Sequence, residues 1–273
     1  MDASVAASAP EEAPYELVEG DPACGLLLLC DHASNRLPAA YGDLGLQLSE
    51  FERHIAYDIG AAALTRALAR RLGAPAILSS FSRLLIDINR GEDDPTLIMQ
   101  LSDGAVVPGN RGGGEAERQR RIEAYHAPYH RAVAAAIDRA VASGSVPALV
   151  PIHSFTPVWR GEPRRWQVGV LWDIDPRLAV PLIKALAADG TLVVGDNEPY
   201  QGALFGDTLY QHGTGRGLAH ALIEVRQDLI ADAAGVEAWA ERLGGILAEL
   251  NQRAELHEVR PYGSLADPAA SRA

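Results

Sequence analysis

Three observations predict an α/β fold: a single three-layer α/β/α domain over residues 1–273, built on a mixed, mostly parallel sheet. Continuous apolar runs of strand length alternate with amphipathic stretches of helical period. Polar residues recur where the apolar runs end: Asp31-His32, Asn89-Arg90, His153-Ser154, Asp196-Asn197, and Glu224 with Arg226. No repeat and no linker divides the chain. In sheets of this kind ligands gather beyond the carboxyl ends of the strands, so these polar ends are where chemistry is expected.

Gly25–Cys30 is continuously apolar and stops at Asp31-His32, the pattern of a strand buried on both faces. A helix is expected from about Glu50 to Leu72. Ser49 and Glu52 have capping-box spacing, and Tyr57, Ala61, Leu64, Leu68 and Leu72 lie roughly on one face. Gly73 ends it, and Ala76–Ser80 and Leu84–Ile88 read as strands. From Gly91 to Gly114 the composition turns to Gly, Asp, Pro and Asn, a long loop of the kind that is functional or mobile. Helix resumes over Glu115–Ala142. Strands are expected at Val146–Ile152, Gln167–Ile174, Thr191–Val194 and Ala219–Arg226. Helices are expected near Leu178–Ala188 and at Ala234–Leu250.

Composition sets outer bounds. The chain is 48 % hydrophobic and 22 % charged, a soluble globular balance. No apolar run approaches the roughly 18–20 residues of a membrane span. Lys plus Arg is 24 against 36 Asp plus Glu, a net charge of −12 that disfavours nucleic acid and anionic lipid as partners. Cys24 and Cys30 have neither metal spacing nor a disulfide framework and read as free thiols in a reducing cytoplasm. Met1–Ala13 lacks a basic stretch followed by an apolar core, so a cytoplasmic location is expected. Residues 1–13 and 261–273 read as flexible tails.

His32 and His153 each follow a long apolar run. An imidazole on a stiff strand end is a well-placed metal ligand, though strand ends are often polar for no further reason. A third ligand could be Asn35, a weak donor three residues after His32, or Asp58. A carboxylate suits zinc better, but Asp58 could equally cap a helix. Glu224 sits in an otherwise apolar strand, where a bare carboxylate is costly. It is either a general base or the partner of Arg226 at i+2. Arg83 precedes and Asn89-Arg90 follow the apolar run 84–88. They could grip a substrate carboxylate or simply pair with Asp87, Glu92, Asp93 or Asp94. His126 and His130 have metal-compatible spacing but lack the Glu of the zinc-protease motif, and Pro128 lies between them. A structural or pocket-lining role is expected there. His212, Arg216 and His220 could orient a substrate, and Tyr200 could close over one.

Six segments in order resemble the N-formylglutamate amidohydrolase family: Cys-Asp-His-Ala-Ser-Asn-Arg-Leu-Pro (30–38), Tyr-Asp-Ile-Gly-Ala (57–61), Ser-Arg-Leu-Leu-Ile-Asp-Ile-Asn-Arg (82–90), Ile-His-Ser-Phe-Thr-Pro (152–157), Asp-Asn-Glu-Pro-Tyr-Gln-Gly (196–202) and Ile-Glu-Val-Arg-Gln-Asp (223–228). The resemblance implies a phosphorylase/hydrolase-like fold akin to the zinc carboxypeptidases. It implies a Zn2+ site at His32 and His153, Glu224 as general base, and Asn89-Arg90 as the carboxylate clamp. Asn35 stands where a carboxypeptidase-like His-x-x-Glu has its Glu, a departure that makes Asp58 the expected third ligand. Arg83, Tyr200, His212 and Arg226 complete the expected substrate-binding set. The implied reaction is hydrolysis of a small acidic N-acyl amino acid, foremost N-formyl-L-glutamate to formate and L-glutamate, late in histidine breakdown. The alternatives are a metallopeptidase or cell-wall-type amidase, or a non-catalytic small-molecule binding protein on the same fold.

Overall fold

The computed structural model describes residues 13–188 and 190–267 of the 273. Its strands are β1 (Tyr15–Val18), β2 (Leu26–Cys30), β3 (Ala76–Ser79), β4 (Leu101–Ser102), β5 (Ala105–Val106), β6 (Ala148–Phe155), β7 (Val158–Trp159), β8 (Glu162–Pro163), β9 (Val168–Leu171), β10 (Val194–Asp196) and β11 (Leu222–Arg226). The α-helices are α1 (Ala61–Leu72), α2 (Gly114–Arg121), α3 (Ala127–Ala142), α4 (Pro176–Ala187), α5 (Thr208–His212) and α6 (Ala233–Leu250).

Seven strands form one sheet in the order β1-β3-β2-β6-β11-β9-β10. The central four, β3, β2, β6 and β11, are parallel. β1 joins β3 antiparallel, β9 joins β11 antiparallel, and β10 pairs with β9 in parallel. The sheet is therefore mixed and mostly parallel. β4–β5 and β7–β8 are two separate hairpins.

Alternation along β2 shows why both faces need cover. Leu26, Leu28 and Cys30 pack with Leu64 and Leu68 of α1, Leu182 of α4 and Leu243 of α6. Leu27 and Leu29 point the other way, onto Tyr129, Val133 and Ile137 of α3. All five residues of β2 are buried. Each buried leucine contributes roughly 1.5–3 kcal/mol relative to exposure, which makes the strand a rigid base for Asp31 and His32 at its carboxyl end. No helix among the described residues is long and apolar enough to cross a membrane.

Several elements differ from the sequence expectation. The helix expected from residue 50 starts only at Ala61. A short 3-10 turn (Leu48–Glu52) and a half-buried loop precede it, and the residue before the helix is Gly60 at φ +81°. A Cβ at Gly60 would come within 2.3 Å of the Ile230 carbonyl oxygen, so the chain must turn there without a side chain. Residues 53–59 use their backbone groups against other segments: Asp58 N donates to His32 O at 2.9 Å, and Ala56 O accepts from Ser82 Oγ at 2.7 Å.

The apolar run 84–88 is not a strand. Leu84, Leu85, Ile86 and Ile88 are buried, but side chains satisfy the local backbone. Asn110 donates to Leu84 O, Arg121 to Leu85 O, and Asp87 N reaches Leu97 O. Edge strand β1 has only four residues and a half-exposed pattern, too weak for period-2 reading. The long helix of 115–142 is interrupted by a π-turn at Ile122–His126, after which Pro128 opens α3. Of the expected tails, residues 1–12 and 268–273 lie outside the described residues. Residues 261–267 are held in place: Ser264 is buried, Leu265 N donates to Asp173, and Tyr210 Oη donates to Asp267.

Candidate active site

Adjacent parallel strands β2, β6 and β11 bring His32, His153 and Glu224 to one end of the sheet. His153 and Glu224 are direct register partners, and His32 lies two residues past the end of β2. The loop before α1 delivers Asp58. The His32 and His153 rings lie 4.9 Å apart, nearly perpendicular. One donor atom from each of His32, Asp58 and His153 lies within 4.8 Å of the others, and all three residues are buried. This trio could hold a metal ion.

The outer ring nitrogens define which inner atoms face the site. His32 Nε2 is 2.7 Å from Asp87 Oδ1, and His153 Nε2 is 3.1 Å from Asp31 Oδ2. A carboxylate beside Nε2 keeps the proton on that nitrogen and turns the Nδ1 lone pair inward, the arrangement that orients metal-binding histidines. Both Nδ1 atoms then face Asp58 Oδ2, at 3.5 Å for His32 and 2.8 Å for His153. His32 Nδ1 is buried with no hydrogen-bond partner, as is Glu224 Oε2. A buried lone pair left unmatched is costly, and a cation satisfies it. The donor set therefore fits a divalent ion: two imidazoles and one carboxylate in a buried site.

Metal binding here displaces a proton: His153 Nδ1, 2.8 Å from Asp58 Oδ2, donates to that carboxylate until a cation takes its place. Burial raises the Asp58 carboxyl, but His32 and His153 outweigh it and hold the group well below the usual carboxylate range. Burial would lower His153, yet hydrogen bonds to Asp31 and Asp58 raise it well above an ordinary imidazole. Burial likewise opposes ionisation of Asp87, which the Arg83 charge drives far down. Two imidazoles thus sit among three carboxylates that stay ionised. Glu224 differs: burial pushes it up to about 7, so near neutral pH it can both take and give a proton.

The site opens into a cleft of about 390 Å³ lined by His32, Asp58, His153 and Glu224 together with Arg83, Asn89, Arg90 and Tyr200. Arg83 is engaged with Asp87 through Nε and Nη2, and its Nη1 is 3.9 Å from Asp58 Oδ1. Of the two readings of Arg83, pairing with Asp87 is therefore present, but as a buried contact of the site. Arg90 donates to Asn89 O and Thr96 Oγ1 at the cleft wall. Asn35 does not join the trio; its amide donates to Phe51 O at 2.9 Å.

Two expected substrate contacts are corrected. Arg226 does not line the cleft. It pairs with Asp228 and donates to the carbonyls of Arg164 and Trp166, so Glu224 is not its partner either. His212 is buried and is not among the residues lining the cleft: its Nε2 lies 3.0 Å from His130 Nδ1, and His130 Nε2 lies 3.0 Å from Ile88 O. Burial lowers His130 to about 3 and His212 to about 4, so both rings are neutral. The geometry then assigns one chain of donors, His212 Nε2–H to His130 Nδ1 and His130 Nε2–H to Ile88 O. His126 Nε2 adds a bond to Arg90 O. The two histidines of α3 and its approach thus hold the carbonyls on either side of Asn89.

Local sequence pattern gives no site role to Asp31 or Asp207, and to Asp87 only that of an arginine partner. Asp31 stood in plain view beside His32, and Asp87 lay among the suggested partners of the arginines. Only the fold reveals that Asp31 and Asp87 each face an imidazole. Asp207 lines the cleft and caps α5 by accepting from Tyr210 N at 2.7 Å. Burial raises its carboxyl from 3.8 to about 7. A raised acid favours the folded state when protonated. Its stability is complete below about pH 3.8 and is lost as pH rises through about 7. Asp207→Asn keeps the cap acceptor without the charge. Urea unfolding should show this variant more stable than the parent at pH 8, on the order of a few kcal/mol, with the difference gone near pH 4. An equal difference at both pH values would remove charge burial as the cause.

A mixed α/β sheet with a buried two-histidine, one-carboxylate group at its strand ends and a carboxylate of near-neutral pKa beside it defines a hydrolase-type site. The sequence matches the family described as N-formylglutamate amidohydrolase over residues 24–231. The chain belongs to that family, and it is a hydrolase acting on amide bonds. Among solved structures it is similar to the gene product Atu2144 from Agrobacterium tumefaciens, at 35 % identity over 90 % of this chain and 97 % of that one, TM-score 0.83. It also shares the fold of N-formylglutamate amidohydrolase from Ralstonia eutropha JMP134, at 21 % identity over 88 % and 98 %, TM-score 0.67. No curated protein matches the chain.

Proposed function

We propose that this protein is a divalent-metal amidohydrolase, with zinc the expected ion, that converts N-formyl-L-glutamate or a related N-acyl amino acid to the free acid and amino acid. The observation that carries the reading is the buried His32–Asp58–His153 group with Glu224 beside it, the outer nitrogens of both rings already engaged by carboxylates. Such an ion, when bound, acidifies water and polarises an amide carbonyl. His32, Asp58 and His153 would hold it, and Asp87 and Asp31 would keep the two rings aimed.

Glu224 takes the proton of the attacking water and returns it to the leaving nitrogen as the C–N bond breaks. Asn89 and Arg90 bind the substrate carboxylate, their backbone held by His126 and His130. Arg83 anchors Asp87 and so steadies His32. The cleft's position at the strand ends keeps the reacting carbonyl against groups on rigid elements. The protein is expected to act in the cytoplasm, late in histidine breakdown, on a small acidic N-acyl amino acid.

The direct test is formate release from N-formyl-L-glutamate by zinc-loaded protein, with metal content measured in parallel. Chelation should abolish turnover and added zinc should restore it; turnover indifferent to chelation would reject the metal. Arg90→Ala should raise KM for carboxylate substrates about 10- to 100-fold, the loss of a charge-assisted contact, with a much smaller change in kcat. An equal loss on a neutral amide of the same shape would show that Arg90 does not read the carboxylate.

A further inference from the structure

Beyond Asn89, Arg90 and the His32–Asp58–His153 group, the cleft is lined by aromatic side chains. Phe155, Trp159 and Tyr200 line it on one side. Phe155 ends β6, Trp159 belongs to the β7–β8 hairpin, and Tyr200 lies after β10, so three separate segments converge. Arg164 ties them together. Its guanidinium carbon lies 5.6 Å from the Phe155 ring centre, 5.2 Å from Trp159 and 5.0 Å from Tyr200. Its Nη1 also donates to Tyr200 Oη at 2.9 Å and to Thr156 Oγ1 at 3.3 Å. A guanidinium stacked on rings holds them by cation–π attraction and fixes their planes. The Trp159 ring is further propped by His54, with ring centres 6.0 Å apart.

Trp159 and Tyr200 are the partly exposed rings of this wall, Phe155 being buried, and the nearby cations Arg164 and Arg160 lie over the rings and are not among the residues lining the cleft. The guanidinium groups lining the cleft are Arg83, bound to Asp87, and Arg90 beside Asn89. The carboxylate locus and the aromatic locus are thus formed by different residues of one cavity. Rigid aromatic faces gain most from a flat apolar partner, which adds ring–ring attraction to the burial itself.

We propose that Trp159 and Tyr200, backed by Phe155 and Arg164, form a second subsite that takes a planar apolar group of the substrate while Asn89 and Arg90 hold its carboxylate. The inference rests on the amidohydrolase reading for the reaction but not for the binding. The planar group belongs either to the amino acid side chain or to the acyl group, and the substrates tested separate these.

The experiment compares N-formyl-L-glutamate, N-formyl-L-phenylalanine and N-benzoyl-L-glutamate. It measures kcat/KM with zinc-loaded protein and, separately, Kd by calorimetry with Glu224→Gln protein, which does not consume the ligand. At least one aromatic compound should exceed N-formyl-L-glutamate about tenfold in both quantities, and which one identifies the group bound. Trp159→Ala should shrink that advantage by about tenfold or more, and Trp159→Leu, which retains apolar volume, should shrink it nearly as far. Thermal unfolding confirms that both variants fold. Turnover of N-formyl-L-glutamate without any aromatic preference would overturn the subsite and leave the amidohydrolase reading standing. Tight, Trp159-dependent binding of an aromatic compound without turnover of any would do the reverse. An equal loss for all three compounds in the Trp159 variants, or no binding at all, also overturns the subsite.

Discussion

Glu224→Gln should retain bound metal at the parent's stoichiometry and lose about 10²- to 10⁴-fold in kcat, the span a positioned acid–base group contributes. The substitution changes little besides the proton. Gln has the same length, and it stays on β11, in register with His153 on β6 and Gly169 on β9. Glu224 is not one of the three grouped donors, so the ion should stay. What disappears is a carboxylate that burial has pushed up to about 7, with one oxygen lacking any partner. That oxygen is free to receive the proton of an attacking water, and the raised pKa lets the group release the proton again to a leaving nitrogen. A Gln amide does neither. Elemental analysis and steady-state kinetics on the same preparation check both halves. Undiminished kcat would remove Glu224 as the base, whereas loss of metal alongside activity would make it a ligand.

The parts of this site legible in the sequence are those set by one residue and one strand. Gly25–Cys30 and Ala148–Phe155 are apolar enough that only a buried strand accommodates them, and polar residues at the ends of such strands must lie at the sheet's rim. His32, His153 and Glu224 could therefore be placed by local pattern. Asp58 was singled out from its motif, but for the wrong local structure. The periodicity of Tyr57, Ala61 and Leu64 reads as one helix, while Gly60 breaks it and puts Asp58 on a loop over the strand ends.

Contacts made across long stretches of chain left no local trace. Asp31 meets His153 across 122 residues, and Asp87 meets His32 across 55. The run Leu84–Ile88 misled for a related reason. Its apolar residues are buried as a strand's would be, but Asn110 and Arg121, far along the chain, satisfy its backbone. Period and burial cannot distinguish a ladder partner from a side-chain partner. Arg226 shows the same limit. Its i+2 spacing from Glu224 suggested a pair, and Asp228 is in fact the anion it meets.

His153→Ala should lose stoichiometric metal and with it essentially all hydrolysis, and it should also cost stability in a way that depends on pH. In the folded chain His153 contacts two buried carboxylates, Asp31 at 3.1 Å and Asp58 at 2.8 Å. Burial works against both acids, and the neighbouring imidazoles hold both below their usual range. A depressed acid contributes stability above its unfolded pKa, near 3.8, and loses it as pH falls through the folded value. Removing the His153 ring removes part of that contribution, leaving two carboxylates facing each other across a small cavity. Breaking a buried pair in this manner costs about 3–5 kcal/mol. The loss should be largest near neutral pH, where both acids are charged; without the ring, burial raises the variant's acids, so the loss should shrink as pH falls toward about 4 and they protonate while the parent's stay ionised. Denaturant unfolding at about pH 7 and about pH 4 measures the difference, and metal analysis near neutral pH measures the ligand role independently. Asp31→Asn supplies the contrast: it spares the grouped donors His32, Asp58 and His153 but removes the carboxylate that aims one ring. It should weaken metal binding about 10- to 100-fold without abolishing it. Full zinc content in His153→Ala would mean that the converging imidazoles do not hold the ion, whatever happened to stability.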